Sequence, residues 1–146
     1  MPCRVSRALA RHLGRRGTGL LIAGAGLSCW GIGILLDPPP TQGLRLLTDL
    51  CGIQNWAWLW IAAGVLALAA AFARIGPDWP GFGVAFLPPM VWATAYAVAA
   101  INGEYSRGGF IAGWYLAIAG LILWAATVPE YSVPPPPRRA QKREGP

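Results

Sequence analysis

Three cysteines, one histidine and six acidic residues are the side chains in this 146-residue sequence best suited to nucleophilic, metal or acid–base chemistry. Metal sites and activated nucleophiles need several such groups close in sequence or aligned on one helical face. The sequence does not supply that arrangement. His12 stands alone among arginines, Cys3, Cys29 and Cys51 are far apart, and Asp37, Asp49, Asp78, Glu104, Glu130 and Glu144 occur singly. General acid–base catalysis needs a positioned proton donor or acceptor beside the reacting group, and the apolar stretches described next contain none. The residues therefore point to no enzyme, no catalytic residues, no bound metal and no cofactor. The cysteines also fail as a disulfide framework. The topology argued below places Cys3 inside, Cys29 within the membrane and Cys51 outside, so no two share an oxidising compartment within one chain. Cys51 pairing with its copy in a second subunit stays open, and an ordinary free thiol is the simpler reading.

The elements that would have to position any working residue are four apolar stretches, at about residues 18–36, 56–73, 82–101 and 109–128, with no Asp, Glu, Lys or Arg in any of them. Each reaches the roughly 20 residues that carry a helix across a hydrocarbon core of about 30 Å at about 1.5 Å per residue. Hydrophobic residues make up 55% of the chain and charged residues 12%, about half the charged share of soluble domains. A globule of this length can jacket one wholly apolar helix, not four, which sets aside the soluble reading. The expected fold is all-α, a polytopic membrane protein with four transmembrane helices in one bundle. A basic leader (1–17) precedes the transmembrane domain (18–128), and a Pro-rich basic tail (129–146) follows it.

Arginine placement gives the orientation. Arg4, Arg7, Arg11, Arg15 and Arg16 precede the first span, Arg45 lies between spans one and two, Arg74 after span two and Arg107 after span three. Arg138, Arg139, Lys142 and Arg143 close the tail. With both termini on one side, ten of the twelve basic residues share that side, and the positive-inside rule makes it the cytoplasm. The expected location is the cytoplasmic (inner) membrane, multi-pass, and the net charge of +6 is mostly a topology signal. No folded basic domain exists to bind nucleic acid, so none is expected as a partner. Arg4, Arg7, Arg11 and Arg15 recur on one helical face opposite Val5, Ala8, Leu9 and Leu13. That pattern predicts a surface helix against anionic lipid headgroups, with Gly14 and Gly17 as a flexible joint into the membrane. The basic tail cluster offers a second contact for lipid headgroups or a protein partner, and a disordered leader is the alternative for the first. Arg15-Arg16 and Gly26-Leu27-Ser28-Cys29 resemble a twin-arginine signal and a lipoprotein cleavage site only weakly. The first apolar run is also long for a signal peptide.

Small residues suggest how the spans associate, because close backbone approach counts for more than apolar burial in a bilayer. The fourth span carries Gly109, Gly113 and Ala117 at four-residue intervals with Gly120 one turn on. The second carries Ala63, Ala67 and Ala71, and the first Gly24, Ser28 and Gly31. Packing within the bundle is the first reading, and a homo-oligomer face is the second. Trp56, Trp58, Trp60, Trp79 and Trp124 lie near span ends and are read as interface anchors. Pro88-Pro89 falls inside the third span, deprives the carbonyls of Val84 and Ala85 of their donors and predicts a kink or break there. Thr94 and Tyr96 follow it with hydroxyls. Broken helices build substrate sites in transporters, but no ionisable residue accompanies this pair, and a static kink is preferred. In the first outer loop, Gly43–Cys51 has the pattern of one or two helical turns, with Arg45 and Asp49 spaced to pair.

Gly43-Leu-Arg-Leu-Leu-Thr, Trp56-Ala-Trp-Leu-Trp-Ile, Leu87-Pro-Pro-Met-Val-Trp-Ala-Thr-Ala-Tyr and Val128-Pro-Glu-Tyr-Ser-Val-Pro-Pro-Pro-Pro resemble small multi-span membrane proteins of actinobacteria and their phages. The resemblance covers most of the chain. It implies an actinobacterial or phage origin and carries over no catalytic residue. Two classes of function follow. One is a non-enzymatic structural or interaction protein, with the lipid bilayer, an unidentified protein partner and a second copy of itself as candidate partners. The other is a holin-like or channel-like oligomer that permeabilises the membrane.

Overall fold

A computed structural model describes residues 2–72 and 78–129, with side chains from Gly14 onward. It is all-helical over that range. α1 runs Pro2–Leu36, α2 Arg45–Thr48, α3 Ile53–Ala71, α4 Trp79–Ile101 and α5 Gly108–Thr127. Four segments are long and apolar enough to cross a membrane: Gly14–Leu36 of α1, then α3, α4 and α5. The chain is thus a four-helix bundle of a multi-pass membrane protein, with span limits close to those of the charge-free stretches. Arg4, Arg7 and Arg11 lie on helical backbone, but their side chains fall outside the described residues. So do Arg74 and the tail cluster Arg138, Arg139, Lys142 and Arg143.

Within α1, Gly14 breaks the helix with φ 62° and ψ −173°, a region of backbone space that essentially only glycine enters. The break falls where the sequence predicts a joint between leader and span. Thr18 Oγ1 donates to the Gly14 carbonyl at 2.7 Å, supplying a donor where the helical ladder is interrupted.

The outside of the bundle is more greasy than its inside. Leu36, Ile101 and Phe110 are more than four-fifths exposed, as suits a surface solvated by lipid tails. The interior combines alanines, glycines and aromatic rings with Leu20, Leu27 and Ile34 of α1 and Ile122 of α5. α1 packs most extensively on α3, and α4 on α5; α3 meets α4 more sparingly, and α1 and α5 scarcely touch. The α1–α3 contact is a backbone approach. A Cβ on Gly24 would come within 2.7 Å of the Gly64 carbonyl, and one on Gly31 within 2.8 Å of the Ala57 carbonyl. A Cβ on Gly64 would collide with Ser28 Oγ. Ala63, Ala67 and Ala71, the small-residue stripe of α3, are buried.

α4 continues through Pro88 and Pro89 without a break; of the kink or break expected there, no break occurs. Both prolines are fully buried, so neighbouring helices hold the segment in place. Above the bundle α2 forms the predicted turn, with Leu44 and Leu47 buried. The Trp56 indole N–H donates to the Leu47 carbonyl at 2.9 Å and ties this turn to α3.

Candidate functional site: an aromatic groove between the first and last spans

Trp92 and Tyr96, one turn apart on α4, face inward beside Trp60 of α3 and Tyr115 of α5, and all four are buried. Trp60 meets Trp92 edge-on at 5.3 Å between ring centroids and 84° between planes. Tyr96 and Tyr115 lie parallel at 6.1 Å, and Trp30 of α1 abuts Trp60 at 6.3 Å. Edge-to-face and offset ring pairs of this kind add about 0.5–1.5 kcal/mol each beyond the area they bury. The interface-anchor reading is corrected here for two residues. Trp60 is a core residue, and Trp56 is half-buried against Trp92 at 5.9 Å. Trp58, Trp79 and Trp124 remain exposed at span ends. Sequence position alone does not separate the two roles, because Trp56, Trp58 and Trp60 sit within one turn and a half and only helix azimuth distinguishes them.

The opposite end of the bundle carries charge. Arg16 Nε lies 3.0 Å from Asp78 Oδ2, and the guanidinium sits over the Phe82 ring at 5.4 Å from its centroid, within cation–π range. Asp78 is buried. Nothing in the spacing of a first-span arginine and an acid sixty residues later signals this pair.

Between these two ends, where α1 and α5 separate, runs a lateral cavity of about 810 Å³ with an almost wholly apolar lining. On α1 its wall is Gly19, Ile22, Ala23, Gly26 and Trp30, successive positions on one helical face. On α5 it extends from Ile111 through Tyr115 and Ile118 to Ala125, about 21 Å at 1.5 Å per residue. Phe82, Trp92 and Tyr96 form its back, and the exposed residues Trp114 and Leu121 form its lip. Gly26 gives it width, for a Cβ there would meet nothing within 4 Å. Cavities of about 300–1,000 Å³ are the usual size for small-molecule sites.

The remaining predicted positions divide sharply. Gly109, Gly113 and Gly120 have nothing within 4 Å of an added Cβ, and Ala117 is exposed. The α5 stripe therefore makes no close contact inside this chain, and it lies on a different face of α5 from Tyr115, Ile118 and Ile122. The reading of these four residues as packing within the bundle is corrected, while a contact between chains is left to be tested. Arg15 is exposed one turn before Gly19, on the groove face of α1. Thr94 Oγ1 donates to the Met90 carbonyl at 2.9 Å and is turned outward. Among the described residues, Arg16–Asp78 is the one ion pair, so Arg45 and Asp49 do not pair. Also among them, no group of three or more His, Cys, Asp or Glu could hold a metal ion. Comparison with protein-family models, curated proteins and solved structures gave no match.

Proposed function

We propose that this chain is a non-enzymatic structural or interaction protein of the cytoplasmic membrane, with both termini in the cytoplasm and its basic leader and tail facing partners there. The observation that carries this reading is the ring cluster of Trp60, Trp92, Tyr96 and Tyr115. It fills the interior toward one end of the bundle with buried rings, where a water-lined path through the chain would have to pass. Among the described residues, no polar path runs through this cluster. The arginine distribution supports the orientation, and the resemblance to actinobacterial and phage membrane proteins supports the origin.

The holin-like reading requires a pore assembled from several chains, with the open α5 stripe of Gly109, Gly113 and Ala117 as its contact. Inducible expression in a bacterial host, with growth and entry of a membrane-impermeant dye followed together, separates the two. We expect normal growth and no dye entry at good membrane expression. Abrupt loss of viability with dye entry at a defined time would replace this reading with the holin-like one.

A further inference from the structure

We propose that the α1–α5 groove is a binding site for an anionic membrane lipid, its acyl chains lying along the groove and its headgroup beside Arg15. Size argues first. The groove runs about 21 Å along α5 and is open to the membrane along one side. Its length and apolar lining suit extended hydrocarbon. Lining argues next. Gly19, Ala23 and Gly26 line the α1 side with small residues, α1 and α5 drawing close at Gly19 and Ala125 and opening at Gly26, whereas Trp30, Trp92 and Tyr96 close the far end with rings. From Arg15 to Trp30 is about 22 Å of helix, somewhat more than half of a hydrocarbon core of about 30 Å. A chain anchored at the Arg15 end thus reaches the rings near the limit of its own leaflet.

Charge completes the case. Arg16 is engaged by Asp78 and Phe82, and Asp78 cancels its charge at the mouth of the groove. Arg15 follows the register of Gly19, Ile22 and Gly26, is exposed, and forms no ion pair among the described residues. It is the cation that a phosphate-bearing headgroup would meet, and its long stem lets the guanidinium reach the headgroup zone. This site is independent of the α5 stripe, which points elsewhere, and of whether the protein acts alone or assembled.

The test is native mass spectrometry of the full chain, released from micelles containing equal amounts of phosphatidylglycerol and phosphatidylcholine with identical acyl chains. We expect one retained lipid per chain, with phosphatidylglycerol preferred about fivefold, the worth of one basic side chain near an anionic surface. Arg15→Gln should bring the two lipids to parity. Gly26→Trp should remove retention of both by filling the groove, and the smaller Gly26→Leu should weaken it. Neither side chain meets a neighbour within 4 Å of its Cβ, and an unchanged thermal midpoint of either variant in detergent shows that the fold is intact. Equal retention of the two lipids by the wild-type chain would overturn the proposal. So would retention that survives in a folded Gly26 variant.

Discussion

Arg16 and Asp78 illustrate what a single ion pair does at a membrane boundary. Asp78 is buried, with one carboxylate oxygen against Arg16 and the other, Oδ1, without a hydrogen-bond partner. Removing one partner of a buried pair costs more than the pair's net worth, because a charge is left in an apolar setting. Arg16 is about a quarter exposed and can turn toward water, which softens that cost. Asp78→Asn should therefore destabilise the protein by about 2 kcal/mol, below the range for fully buried pairs. A thermal-unfolding double-mutant cycle with Arg16→Gln checks this, and the double variant should lose less than the two singles combined. The pair was not legible in the sequence because its partners lie on different helices, and only the packing of α1 beside the start of α4 brings them together. Gly14, by contrast, was legible: a glycine at the boundary between a basic amphipathic pattern and an apolar run is where a direction change costs least.

Helix faces carry the next level of order. Glycines and alanines at four-residue spacing look alike in sequence on α3 and α5, yet the structure uses them in opposite ways. Gly64 is pressed against Ser28 and the Gly24 carbonyl, while Gly113 meets open space. Gly64→Leu should lower stability by about 3 kcal/mol, the upper range for overpacking a filled interior. Gly113→Leu should change the stability of the single chain by no more than about 0.5 kcal/mol. Detergent-resistant unfolding curves of the two variants, measured side by side, provide the comparison. The same Gly113→Leu protein, combined with Ala117→Leu and sized in mild detergent, reports on self-association: a smaller particle than wild type locates a contact between chains on α5. Spacing could not decide between these uses, because it fixes which residues share a face and leaves open what that face meets. The four spans themselves were plain, since freedom from charge over about 20 residues is a demand of the bilayer and not of any neighbour. Pro88-Pro89 predicts a kink or a break, and α4 continues through the pair without the break. Backbone chemistry predicts lost hydrogen bonds, but the surrounding packing decides whether the helix breaks.

For the molecule as a whole, topology is the property that composition reaches most directly and side-chain packing least. Both termini should lie inside and the α2 turn outside. A variant keeping Cys51 alone should react with a membrane-impermeant maleimide in intact cells, while tags on either terminus stay shielded until the cells are opened. Labelling of terminal tags in intact cells, with Cys51 silent, would invert the orientation. Which spans pair was beyond the sequence: α1 chooses α3 through Gly24, Gly31 and Gly64, whereas α5 chooses α4, where a Cβ on Gly108 would meet the Tyr96 carbonyl at 2.5 Å. That pairing has a mechanical corollary. The closest backbone contacts lie within the pairs α1–α3 and α4–α5, whereas α1 and α5 meet at few points, Gly19 beside Ala125 among them. Moving α1 and α5 apart leaves both tight pairs intact, so groove width is the coordinate expected to yield most easily. Lateral pressure in the surrounding bilayer would act on that coordinate, and the four-helix unit is expected to yield along the seam first when the membrane is stretched.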